Sequence, residues 1–141
     1  MKFTTKARYG LRAAFVLAQN WGSPTALKDI ASSQQLAEKY LEQLLTSLKK
    51  AGIVETVRGS QGGYSLTKRP SEITVNQVII ALEGDLAITD CQRDGVACTE
   101  ESTCATKKIW ARISNAVTEA LQSVTLQDML DDYSEASAQN K

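Results

Sequence analysis

The sequence predicts a mainly α-helical fold carrying one small β-hairpin, and three stretches of its 141 residues predict it. The first is AEKYLEQLLTSLKKAG, residues 37–52. Leu41, Leu44, Leu45 and Leu48 recur there at i, i+3, i+4 and i+7 and so line one helical face, while Lys39, Glu42, Gln43, Thr46 and Lys50 point elsewhere. The second, IVETVRGSQGGYSL, follows at once. Val54 to Val57 is a strand-forming run, and Gly59, Gly62 and Gly63 supply the positive-φ positions of a tight connection, leaving Arg58 at its tip. The third is a stripe of Ile109, Ile113, Ala116, Val117, Ala120, Leu121 and Val124, which calls for a helix of about five turns from Ala105 to Val124. An amphipathic helix or a hairpin alone is commonplace. In succession they predict a DNA-reading helix and its wing.

Taken in order, Thr4 or Thr5 can cap a first helix whose apolar face is Ala7, Leu11, Ala14, Phe15 and Ala18, ending near Trp21 and Gly22. After Ser23-Pro24, Thr25 is the expected cap of a short helix with Leu27, Ile30 and Ala31, and the polar SSQQ segment is expected to turn into the helix from Ala37. Short helix, turn, longer helix is the helix-turn-helix layout. Beyond the hairpin, Lys68-Arg69-Pro70 interrupts the pattern, and Thr74 caps a helix holding Val75, Val78, Ile79 and Leu82 before Gly84. Weak periodicity from Asp85 to Cys104 reads as a loop. The long helix follows, then a short one capped by Thr125 and running through Leu130, and the polar stretch from Ser134 to Lys141 is expected to fray. The implied organisation is a winged helix-turn-helix unit over 1–83, a cysteine-bearing loop over 84–104, a dimerisation helix with a short terminal helix over 105–132, and a flexible tail over 133–141.

Composition narrows the function. At 43% hydrophobic the chain can bury one modest core, and no apolar run approaches the roughly 20 residues of a membrane span. The opening MKFTTKARYG lacks the order of a signal peptide, so a cytoplasmic protein without a membrane partner is expected. A net charge of zero conceals a polarity: residues 1–80 hold 11 Lys/Arg against 5 Asp/Glu, and residues 81–141 hold 5 against 11. The basic half is the one with the helix and wing, and it suits a polyanion because bound Lys and Arg release counterions from phosphates. The long helix must bury its stripe, and a second copy of the same helix is an economical partner for a reader of two half-sites.

Cys91, Cys98 and Cys104 lie within 14 residues in a chain with no histidine. An odd number of thiols without a signal peptide argues against a structural disulfide framework and leaves an iron–sulfur cluster, a bare thiol redox sensor, zinc, or incidental loop cysteines. Clusters and zinc usually take four ligands. The fourth would come from Asp90, Asp94 or Glu101, from another subunit, or from a small exogenous molecule. Such a labile shell suits a sensor.

The opening TTKARYGLRA, then YLEQLL, LKKAGIVETVRGSQGGYSL, ITVNQVIIALEG, the cysteine trio and the closing TLQDML resemble the winged-helix transcription regulators typified by IscR, NsrR, RirA and CymR. The resemblance covers about residues 2–132. It implies a homodimer with crossing long helices, a dyad-symmetric double-stranded operator, and an iron–sulfur cluster, [2Fe-2S] favoured over [4Fe-4S], on Cys91, Cys98 and Cys104. The chain departs from the pattern in three places: Lys107 stands where the IscR type has a histidine, the first cysteine gap is one residue longer, and Arg8 stands where the NsrR type has an aspartate. The N-terminal domain and SNAVTEALQSVTLQDML are similar to CymR, which lacks the trio and implies instead control of cysteine metabolism through a cysteine-biosynthesis enzyme partner.

The chemistry of the groove assigns roles. Glu42 can accept from a cytosine amino group, Gln43 can pair with adenine, and Arg58 can enter a narrow minor groove. Lys39, Tyr40 and Ser60 suit phosphates, and Lys28, Gly59 and Gln61 complete the expected contact set. An enzyme is not expected, since there is no histidine for acid–base work, no phosphate-cradling loop and no CxxC pair. An iron–sulfur carrier protein is the competing class, and it would bind iron without regard to DNA sequence.

Overall fold

The computed structural model describes residues 3–84 and 105–139. The expected loop from Asp85 to Cys104, with all three cysteines, lies outside the described residues. Six helices and one two-stranded antiparallel sheet make up the described chain: α1 (Thr5–Gln19), α2 (Leu27–Gln34), α3 (Glu38–Lys50), β1 (Val54–Val57), β2 (Gly63–Leu66), α4 (Val75–Glu83), α5 (Lys107–Gln122) and α6 (Leu126–Gln139). A single 3₁₀ turn, Pro70–Glu72, opens at the proline that interrupts the sequence pattern.

Capping chemistry accounts for the starts of α1, α4 and α6. Thr4 accepts from the amide of Ala7 through its hydroxyl. Thr74 and Gln77 form a reciprocal capping box at α4, and Thr125 with Asp128 does the same at α6. Thr25 behaves otherwise. The residue preceding α2 is Ala26, with no side-chain cap, while the Thr25 backbone exchanges two hydrogen bonds with Tyr64 at 2.8 and 2.9 Å. Its hydroxyl accepts from Asn20 Nδ2 at 3.0 Å. Thr25 therefore flanks β2 as a third, one-residue strand, a long-range pairing that no local pattern announces. The SSQQ segment also differs from expectation: Ser32, Ser33 and Gln34 complete α2, since polar residues are tolerated on a solvent face, and the turn shrinks to residues 35–37. Gln35 carries it with φ 54°, in the left-handed region.

The core sits where the four N-terminal helices and the wing converge. Leu41, Leu44, Leu45 and Leu48 of α3 are fully buried, with Ile30 from α2, Ala13, Ala14 and Leu17 from α1, Val78 and Leu82 from α4, and Val54 and Leu66 from the hairpin. Leu126 joins this core from the other side of the chain with no exposed surface. A backbone bridge pins it there, since Leu126 N donates to Ile73 O at 2.9 Å and Val75 N donates to Val124 O at 2.8 Å. A smaller cluster of Ala7, Val75 and Ile79 receives Leu121 from the end of α5 and Val124 from the residues that follow it. The last helix does not stop at Leu130. It continues to Gln139, because Gln127 Nε2 donates to Asp131 at 3.0 Å one turn on and the ring of Tyr133 packs edge-on to Phe15 at 5.6 Å.

In the hairpin Val54 pairs with Leu66, Glu55 with Ser65, Thr56 with Tyr64 and Val57 with Gly63. Gly59 and Gly63 adopt positive φ, as the sequence requires, but Gly62 does not; there a Cβ would overlap the carbonyl oxygen of Val57. At Gly63 both constraints meet, since φ is +153° and a Cβ would overlap the Thr25 carbonyl. Gly63→Ala is expected to cost about 2–3 kcal/mol, the scale of an incompatible backbone with an added clash, measured by urea denaturation. An unchanged midpoint would show that the wing yields without cost.

Candidate nucleic-acid interface

The face of α3 opposite its leucines is open. Lys39, Glu42, Gln43, Thr46, Ser47 and Lys50 line a shallow polar groove along it. Of these, Lys39, Glu42 and Gln43 were expected as contacts. Thr46, Ser47 and Lys50 belong to the same surface, and the signal for them was the spacing 42, 43, 46, 47, 50, the i, i+4 continuation of the reading pair. The two hydroxyls are turned onto the helix itself, Thr46 donating to the Glu42 carbonyl at 2.8 Å and Ser47 to the Gln43 carbonyl at 3.3 Å. Long polar side chains thus stand above a capped backbone.

The wing rises beside this face. Arg58, Gly59, Ser60 and Gln61 form its exposed tip, and Gly62 N donates to the Gly59 carbonyl at 3.1 Å to close the turn. Among the described residues one side-chain hydrogen bond ties the wing to this helix. Lys49 Nζ donates to Thr56 Oγ1 at 3.3 Å. Tyr64, half-buried on β2, lies within electrostatic reach of Glu42: burial pushes its phenol above the ordinary tyrosine range and the Glu42 carboxylate adds to the shift, so the hydroxyl stays protonated. Lys28 is exposed on the first turn of α2.

Tyr40 is less available than a free phosphate contact. It is half-buried, with its ring edge-on to Tyr9 of α1 at 6.4 Å and 85°. The Arg12 guanidinium lies 5.3 Å from the centroid of Tyr9 and donates through Nε to Gln34 Oε1 at 2.7 Å. Sequence reading missed this chain of contacts because it joins residues from three helices, far apart in sequence.

A second exposed surface lies on α5. No residue of this helix is buried. Leu121 packs on the small cluster of the N-terminal unit, whereas Ile109 is 51% exposed and Ile113 41%, grouped with Arg112 and Ala116. The predicted stripe is therefore divided, its C-terminal end covered by the chain itself and its N-terminal end open. Cys91, Cys98 and Cys104, the expected metal ligands, lie outside the described residues. Among the described residues no three His, Cys, Asp or Glu are grouped as a metal site would require, and no helix is long and apolar enough to cross a membrane.

Comparison with known proteins agrees with this arrangement. A family model described as "Rrf2: Iron-dependent Transcriptional regulator" matches residues 3–132. The HTH-type transcriptional regulator CymR of Bacillus subtilis (strain 168) is 42% identical over 130 residues, 92% of this chain and 89% of its own. The HTH-type transcriptional regulator IscR of Vibrio vulnificus (strain YJ016) is 37% identical over 133 residues, 94% of this chain and 79% of its own. The solved structure of T. potens IscR aligns with a TM-score of 0.80 at 43% identity, covering 96% of this chain and 90% of that one. These relatives are named as regulators and not as enzymes. An open polar recognition face, a wing beside it and the family match over almost the whole chain place this protein in the Rrf2 family of transcriptional regulators, related to IscR and CymR.

Proposed function

We propose that the chain is a homodimeric repressor that reads a dyad-symmetric operator with α3 and the wing, and that it governs genes of iron–sulfur, iron or cysteine metabolism. The observation that carries this reading is the exposed row Lys39, Glu42, Gln43 on a helix whose other face is fully buried, with Arg58 at the tip of a wing tied to the same helix. A carboxylate facing DNA costs affinity unless it meets a base donor, so Glu42 reads and the cations around it hold. Glu42→Ala is expected to relax sequence preference by about 1–3 kcal/mol at one position per half-site, and Arg58→Ala to weaken binding across sequences. Selection of duplexes from a random pool, followed by anisotropy titration, checks both. Unchanged preference in the Glu42 variant would remove its reading role.

The open Ile109 and Ile113 support pairing of α5 with its copy, which spaces two reading helices for two half-sites. The three thiols within 14 residues are the soft donors an iron–sulfur cluster takes, and with no histidine in the chain a carboxylate such as Asp90, Asp94 or Glu101, a group of the other subunit or a small exogenous molecule would complete the set. Cys91, Cys98 and Cys104 would hold it, with [2Fe-2S] favoured over [4Fe-4S], and it would supply responsiveness to iron or oxidant. Such a site regulates only where its two states differ in operator affinity. The visible spectrum with iron and sulfide content of protein purified without oxygen is the test. Charge-transfer bands with matched iron and sulfide support the cluster; equal operator affinity with and without it would sink the switch.

A second reading is favoured by the similarity to CymR, whose B. subtilis structure is titled as that of the global cysteine regulator. In that mode the cysteines respond as thiols, or the signal arrives through an enzyme of cysteine synthesis. Colourless, iron-free protein that does not reconstitute would favour this second reading.

A further inference from the structure

We infer that Arg12, on the first helix, is a phosphate-binding residue of the DNA interface, held ready beside the entrance of α3 by Gln34 and Tyr9. The inference rests on the DNA-reading role proposed above and adds a contact outside the recognition helix and the wing.

The geometry is that of a preset guanidinium. Nε donates to Gln34 Oε1 at 2.7 Å, the planar head lies 5.3 Å from the centroid of the Tyr9 ring, and Tyr9 in turn meets Tyr40 in the first turn of α3. Two features of this hold point to an anion. The acceptor on Nε is a neutral amide and not a carboxylate, so the positive charge remains uncompensated. Among the described residues the two terminal amino groups of Arg12 make no hydrogen bond or ion pair, and the residue is exposed. The outer edge of the fork is therefore open, and it is the edge a phosphate takes.

Position supplies the rest of the argument. Gln34 is the last residue of α2 and Tyr40 lies in the first turn of α3, so Arg12 sits at the end of the recognition helix that enters the major groove. The sugar–phosphate strand bordering the groove passes such an end. Because the side chain is already held at Nε and over a ring, less conformational freedom is lost when it binds.

The experiment uses the full chain and a fluorescein-labelled duplex recovered from a random pool by the wild-type protein, titrated at several salt concentrations, with a scrambled duplex alongside. For Arg12→Ala the expected result is about a three- to tenfold weaker affinity on both duplexes and a salt slope smaller by about 1. Arg12→Lys keeps the charge and is expected to retain the slope. Gln34→Glu, which would neutralise the guanidinium in place, is expected to weaken binding as Arg12→Ala does. A slope unchanged in Arg12→Ala overturns the inference whatever the affinity, since a purely structural role would act without releasing one counterion fewer. Loss of preference for the recovered duplex in the wild-type protein would instead overturn the DNA-reading role, and this inference with it.

Discussion

Ile113→Asp is expected to leave the chain monomeric where the wild type forms the proposed dimer, and to lower operator affinity by at least about 100-fold, because two half-sites joined in one assembly bind at high effective concentration and separate heads do not. The expectation follows from the open end of α5. Ile109 and Ile113 leave about half of their surface exposed, and burial of that remaining half of each side chain against a second copy is worth about 1–1.5 kcal/mol. An aspartate in its place brings a charge, and across a twofold axis two charges, into a surface with no partner to receive them. Sedimentation velocity reads the assembly and anisotropy reads the DNA. A variant that remains dimeric would show that α5 does not carry the contact. Because Ile113 is exposed in the single chain, the head should stay folded, which far-UV dichroism checks.

Leu126→Ala is expected to have the largest effect on stability, about 3 kcal/mol, within the 2–5 kcal/mol range of buried leucine truncations. Leu126 has no exposed surface and lies in the same core as the leucines of α3. It is also the first residue of α6, immediately after the bridge between Thr74 and Thr125. The cavity therefore opens at the joint where the C-terminal helices enter the head. Urea denaturation measures the loss, and a shift of less than about 1 kcal/mol would mean that the surrounding side chains close the space.

Much of the fold was legible because its determinants are local. The leucine spacing of α3, the capping residues Thr4, Thr74 and Thr125, and the strand limits Val54 to Val57 are short-range patterns, and the structure places each where the pattern requires. What was misread depends on distant partners. Thr25 resembles a cap until Tyr64 claims its backbone, and Gly62 resembles a positive-φ glycine until the Val57 carbonyl shows that space is what it provides. The last helix reads as ending at Leu130, whereas Tyr133 meets Phe15 and α6 runs on to Gln139. The site divides along the same line. Lys39, Glu42 and Gln43 share an exposed helical face that periodicity alone identifies, whereas Arg12 enters the interface only through Gln34 and Tyr9, which sequence spacing does not bring near it.

The bridge between residues 73–75 and 124–126 also has a mechanical meaning. It clamps α5 at its C-terminal end, while the opposite end leads back, within a few residues, to Cys104. A helix of 16 residues is about 24 Å long, so a pivot of about 10° at the clamp displaces its far end by about 4 Å. The helix is a lever with its fulcrum in the head. Displacement is therefore least beside the head and greatest toward Lys107, the end where Ile109 and Ile113 are open.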